Sequence, residues 1–252
     1  MSSCRVPLKS ATNLIRFALS VVLIGSVLSS SAQQQQFPAL TNADSAEVWF
    51  DQIVDPASAA IVNGPEYRVA FQGSASHPFF VSQESDRTYV QYDHDLYRNV
   101  DLLYDSYGDI LVYKFVAADK VLFIKLDHKL VEHFSLHEHV FKKYEEGIRA
   151  GTGVYFDVLF EKNEFAVVVK RRKLERLEGR QSNYVEDDVH YILDNGRWAR
   201  ITGNGSFAKT IPKDQRKELT AFVKSNQINV RKRKDEDLRK LGAFCYSLKE
   251  KK

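Results

Sequence analysis

The chain has 252 residues, 44% of them apolar and 27% charged, with 36 basic and 33 acidic side chains. This composition suits a folded domain rather than a disordered or collagen-like chain, and about 220 residues beyond the N-terminal segment can bury one sizeable core. Near-balanced charge argues against a nucleic-acid partner, which calls for a basic face.

Residues 1–32 read as a secretory signal peptide. Arg5, Lys9 and Arg16, with no acidic residue among them, precede the apolar run FALSVVLIGSVLSS (17–30). Ser30 and Ala32 supply small residues at −3 and −1 of a cleavage site after Ala32. The run is shorter than the roughly 20 residues of a membrane span, and no later run could cross as a helix. Cleavage would leave 33 basic and 33 acidic residues. It would place the protein in the periplasm, at the outer membrane or outside the cell. It would also remove Cys4 and leave Cys245 alone, so no intramolecular disulfide is expected.

Residues 33–65 read as a linker. It opens with four glutamines and holds a short amphipathic helix within TNADSAEVWFDQIVDP (41–56), capped by Asn42 or Asp44 and stopped by Pro56. Val48, Phe50 and Ile53 would dock it.

Over 66–205 the pattern is β. EYRVAFQ, HPFFVS, RTYVQYD, YRNVDLLYD, DILVYKFV, KVLFIKL and HFSL are short aromatic or β-branched runs parted by turn residues. GVYFDVLFEK and EFAVVVKRRK follow, joined at Asn163. DVHYILD and RWARI then turn at Asn195-Gly196, the strongest short hairpin signal. The spacing predicts roughly ten to twelve strands with no ten-residue helical pattern between them. Over 206–252 the period becomes helical. Leu219, Phe222 and Val223 share one face of a first helix, and Leu238, Leu241, Phe244, Cys245 and Leu248 one face of a second. Asp235, Glu236 and Asp237 suit the positive end of that second helix. The tail from Lys213 to Lys252 carries 13 basic and 6 acidic residues, a surface on which the chain could dock to a larger envelope assembly. The expected fold is mainly β: a curved antiparallel meander sheet or partly closed barrel, with a C-terminal pair of α-helices packed on it.

GPEYRVAFQGSASHPFF (64–80), YRNVDLLYDSYGDILV (97–112) and the run from DNGRWARI through the two helices resemble segments of uncharacterised exported proteins common in Bacteroidetes. The resemblance spans about residues 60–248. It implies a β-rich, envelope-associated protein and brings no functional residues with it.

Two clusters are candidate sites. Four of the seven histidines lie between His128 and His139. Read as one extended strand, residues 131–141 put His133, His137 and His139 on a common face, where zinc or copper could bind. A turn at His137-Glu138 would end that face, and HExxH is absent. The second cluster is YDHDLYRNVDLLYDSYGD. Its Tyr92, Asp93, Asp95, Tyr97, Tyr104, Asp105 and Tyr107 could bind a sugar or a calcium ion, although aspartates there also serve turns. G-x-S-x-G, S-x-x-K and P-loop signatures are absent. Cys245 reads as core filler. The basic runs 170–173 and 231–234 read as solvated surface. The function expected is non-catalytic binding of a ligand or protein partner in the cell envelope. The alternatives are a metal-binding protein or metal-dependent enzyme using His133, His137 and His139, and a structural accessory of an envelope assembly.

Overall fold

A computed structural model describes residues 60–68, 76–117, 120–149, 151–178 and 181–250. The expected signal segment, the helix at 41–56 and residues 69–72 of EYRVAFQ lie outside the described residues. Among the described residues there are twelve strands. The first eight are β1 (Asp86–Tyr92), β2 (Asp95–Asp105), β3 (Ile110–Ala117), β4 (Lys120–Lys125), β5 (Val131–Leu136), β6 (His139–Lys143), β7 (Tyr155–Lys162) and β8 (Phe165–Lys170). The others are β9 (Lys173–Glu178), β10 (Gln181–Glu186), β11 (Val189–Asp194) and β12 (Arg197–Arg200). HPFFVS, expected as a strand, contributes a single bridge between Phe79 and Asp105.

Short turns set the registers. Asp93 and His94 have φ of 52° and 70°, His137 and Glu138 47° and 67°, and Asn195 and Gly196 49° and 71°. Each pair links strands whose flanking residues face each other, Tyr92 to Asp95, Leu136 to His139 and Asp194 to Arg197. Two left-handed residues are what a two-residue hairpin needs to match strand twist. The Asp86 carboxylate accepts the His137 backbone N–H at 2.6 Å and holds the second of these turns.

Ten strands form one antiparallel sheet in the order β12-β11-β8-β7-β6-β5-β1-β2-β3-β4, and β9 and β10 form a separate ribbon. The simple meander is broken twice: β9 and β10 leave the sheet between β8 and β11, and β5 returns to pair with β1 instead of β4. Residues 126–130 make that return across four sheet positions, about 19 Å on a flat sheet. Lys125 and Val131 also lie at opposite ends of the strands, so even a fully extended segment, at about 21 Å, falls short of a flat crossing. Moreover, Leu130 and Val131 both donate to the Asp127 carbonyl in a turn. The sheet must therefore curl. Tyr104 on β2 and Tyr155 on β7 are also four positions apart, and their ring centroids are 6.0 Å apart. The Lys173 N–H also donates to the Ser106 carbonyl at 3.3 Å, tying the start of β9 to the end of β2. The sheet stays open, with β12 and β4 as its edges.

The curl encloses one core, in which Tyr104, Phe134, Phe141 and Tyr155 are fully buried. A second core lies under the helices. α1 (Glu145–Arg149) joins β6 to β7, and α2 (Asn204–Ala208), α3 (Arg216–Ser225) and α4 (Asp235–Glu250) follow β12. The expected helix pair is α3 and α4, and α2 precedes it. α4 lies on β7 and β8. Its Leu238, Leu241, Cys245 and Leu248 are fully buried against Val167, Val169 and Ile192. Each such leucine contributes about 1.5–3 kcal/mol. Gly242 sets the closeness of this packing, since a Cβ there would lie 2.8 Å from Val167 Cγ2. Phe244 instead stacks on Phe222 of α3, with centroids 4.0 Å apart. No described helix is long and apolar enough to cross a membrane.

Candidate functional site

The basic run 170–173, expected as solvated surface, is where the two cores meet, and it turns inward. EFAVVVKRRK does not continue as one strand. β8 ends at Lys170, and Lys170 and Arg171 are buried, 4% and 7% exposed. Lys170 Nζ lies 2.6 Å from Asp109 Oδ1 and donates to the Tyr104 hydroxyl at 3.1 Å and the Tyr155 carbonyl at 3.0 Å. Burial lowers its pKa, and Asp109 opposes that shift. Asp109 also accepts the Tyr104 hydroxyl at 2.7 Å and the Val154 N–H at 2.6 Å. One cation meets one carboxylate, and the remaining polar contacts are hydrogen bonds.

Arg171 has different company. Its Nε and Nη2 donate to Asp157 Oδ2 at 2.9 and 2.6 Å, and its Nη1 to Asp188 Oδ2 at 2.7 Å. Nη2 also pairs with Asp235 Oδ2. The registers explain why these groups converge. Asp157 on β7 faces Val169 on β8, which faces His190 on β11, so the three form one row on one sheet face. Asp235 is the first residue of α4, placed over that row by the packing of the helix. His139 opens β6, and its Nδ1 is 2.7 Å from Asp157 Oδ2. His190 is 4% exposed, and its Nε2 is 3.7 Å from Asp235 Oδ1, too long for a hydrogen bond. Burial alone would raise the Asp235 pKa, but His190 and Arg171 outweigh it and hold the carboxyl down at about 2.

This floor opens into a cleft of about 180 Å³. Phe80 stands over it, with its ring 5.2 Å edge-on from His139 and 5.9 Å from the Arg171 guanidinium. Val81 forms the lip. It is 57% exposed and has φ of 54°, a strained conformation for a β-branched residue. On the far side stands the β9–β10 ribbon, fastened at its base where Lys173 Nζ donates to the His77 and Phe79 carbonyls at 3.0 and 2.6 Å.

The histidines expected to share a face do not. The turn at His137-Glu138 puts His139 opposite Leu136, on the buried face, while His133 points to the other face, beside the Tyr89 ring at 6.0 Å. His137 sits in the turn itself. Among the described residues, the ligand atoms that gather within 4.8 Å belong to His139, Asp157 and Asp235. Zinc or copper would suit such a set better than calcium or magnesium.

The tyrosine and aspartate cluster is split along β2. Tyr92 is buried with its ring 6.4 Å from that of Tyr97, Asp93 is in the turn and Asp95 is exposed. About 24 Å further along the strand, Tyr104 is in the core. Asp105 accepts the Tyr107 and Gly108 N–H groups at 3.0 and 2.8 Å and the Tyr67 hydroxyl at 2.9 Å. Tyr107 is 49% exposed and packs on Tyr184 of the ribbon. The structure brings these residues together as two groups, one at each end of β2. Cys245 is fully buried, and burial pushes its thiol up to about 12.

Sequence reading did not single out Asp157, Asp188, His190 or Phe80 as site residues, and placed Asp235 only at a helix end. One signal was present: Asp157 in GVYFDVLFEK and His190 in DVHYILD occupy inward positions of apolar strands. Compared with known proteins, the chain matches no family model, no curated protein and no solved structure.

Proposed function

We propose that this is an exported cell-envelope protein that binds a protein partner, without catalysis, at the cleft between Phe80, Val81 and the β9–β10 ribbon. The signal-like N-terminus and the resemblance to exported Bacteroidetes proteins support the location, in the periplasm or at the outer membrane. The observation that carries the binding reading is Val81. Strained backbone persists where surrounding structure enforces it, and it concentrates at binding and active sites. Here it holds an exposed apolar side chain at the mouth of a charged cleft. Size points to a partner's side chain. Small-molecule sites run to about 300–1,000 Å³, whereas a cavity of about 150 Å³ takes a benzene-sized group. The cleft is close to the second value.

A photo-crosslinking amino acid placed at Val81 tests this in cells, with the exposed Lys217 of α3 as the control position. The expected result is a defined crosslinked product from Val81 alone, weakened by Glu186→Lys at the cleft rim. Equal labelling from both positions, or none from Val81, contradicts the reading.

A further inference from the structure

We infer that His139, Asp157, His190 and Asp235 form a divalent-cation site of the zinc class, with Arg171 as its outer partner. The inference does not depend on a protein partner at the cleft.

His190 is the first reason. It is 4% exposed, and neither ring nitrogen has a hydrogen-bond partner among the described residues. A buried imidazole is ordinarily satisfied. Its Nε2 is aimed at Asp235 Oδ1 from 3.7 Å. Two ligands of a tetrahedral ion with bonds of 2.0–2.1 Å stand about 3.4 Å apart. The spacing is therefore wrong for a hydrogen bond and near that of two ligands sharing an ion. His139, Asp157 and Asp235 bring one ligand atom each within 4.8 Å of one another, and His190 meets that group through Asp235.

Charge is the second reason. Asp157, Asp188 and Asp235 all pair with Arg171, and its single positive charge offsets only one of these three carboxylates. Imidazole binds a metal in its neutral form, so two carboxylates match one divalent cation with no charge left over. Imidazole with carboxylate suits zinc, while calcium and magnesium select sites made wholly of oxygen.

Arg171 is the obstacle, because Nη2 bridges Oδ2 of both aspartates. Each carboxylate has a second oxygen, and on Asp235 it is this Oδ1 that faces His190. Loading the ion moves Nη2 off its bridging position and breaks the His139–Asp157 hydrogen bond, while Arg171 keeps its hold on Asp188. Arginine then orients the ligands from outside, as hydrogen-bonded neighbours of metal ligands commonly do.

The test is equilibrium dialysis of the untagged, exported protein against zinc sulfate, with cobalt(II) replacing zinc for visible spectroscopy. One equivalent of zinc is expected, with the absorption bands of four-coordinate cobalt. Affinity falls at least about tenfold in His190→Ala and in Asp235→Asn, and is unchanged in His133→Ala and His137→Ala. Should His190→Ala fail to fold, the part-exposed His139→Ala carries the same expectation. Absence of stoichiometric binding by the folded wild type overturns the proposal. So does binding that survives loss of His190 and His139, or binding that is lost with His133 or His137.

Discussion

Lys170 and Arg171 are neighbours at the end of one strand, nearly equally buried, and the regions around them differ in kind. Around Lys170 one cation meets one carboxylate, and the Tyr104 hydroxyl, the Tyr155 carbonyl and the Val154 N–H complete the contacts. Around Arg171 one cation meets three carboxylates, with a part-exposed histidine on one side and, on the other, a buried one that makes no hydrogen bond among the described residues. The first region is balanced and closed, which makes it a tie between β2, β7 and β8. The second has surplus negative charge and a cleft above it, and that combination is what the proposed cation site rests on. Burial of a charged side chain therefore does not distinguish a structural residue from a functional one. The charge balance around it does.

Replacing each cation by methionine tests the contrast most strongly. Arg171→Met leaves the buried Asp157 without its cation, with His139 Nδ1 as its remaining side-chain contact, and is expected to cost about 3–5 kcal/mol, read by urea unfolding. Lys170→Met is expected to cost less, about 1–3 kcal/mol, because Asp109 keeps its hydrogen bonds from Tyr104 and Val154. A Lys170→Met loss equal to or larger than that of Arg171→Met would break the comparison.

Acid gives a smaller effect. The Asp235 carboxyl, held down at about 2 against an ordinary 3.8, contributes stability that is fully present above about pH 4. That contribution is lost as the pH falls through 2. Asp235→Asn removes this component, on the order of 2 kcal/mol, so unfolding between pH 4 and pH 2 becomes less steep than in wild type. Leu177→Lys marks the bottom of the scale. The side chain is 77% exposed on the ribbon, and the change is expected to stay within about 0.5 kcal/mol.

The helices were legible in the sequence because i, i+3, i+4 spacing of Leu238, Leu241, Cys245 and Leu248 has one simple reading. Most strands were legible for the same reason, with aromatic and β-branched runs between turn residues. The turn at His137-Glu138 stood in the sequence only as an alternative to an unbroken strand, since neither residue carries a turn signature and the left-handed backbone is held by Asp86 from 51 residues away. The β9 strand was hidden because KLERLE is charged and mostly exposed, so it lacks the apolar alternation of a half-buried strand. The site itself could not be read from spacing. It needs the curl that brings β2 against β7 and the start of β9, the register that aligns Asp157 with His190, and the packing that sets the first residue of α4 over both. Each of these is a long-range consequence of the fold.

The most direct test of the contrast is the thermal unfolding of wild type, Lys170→Met and Asp235→Asn, each with and without zinc. A balanced tie beside an unbalanced site predicts that zinc raises the midpoint of wild type and of Lys170→Met, and leaves Asp235→Asn unmoved. A zinc response absent from wild type, or equal in Asp235→Asn, would contradict the account.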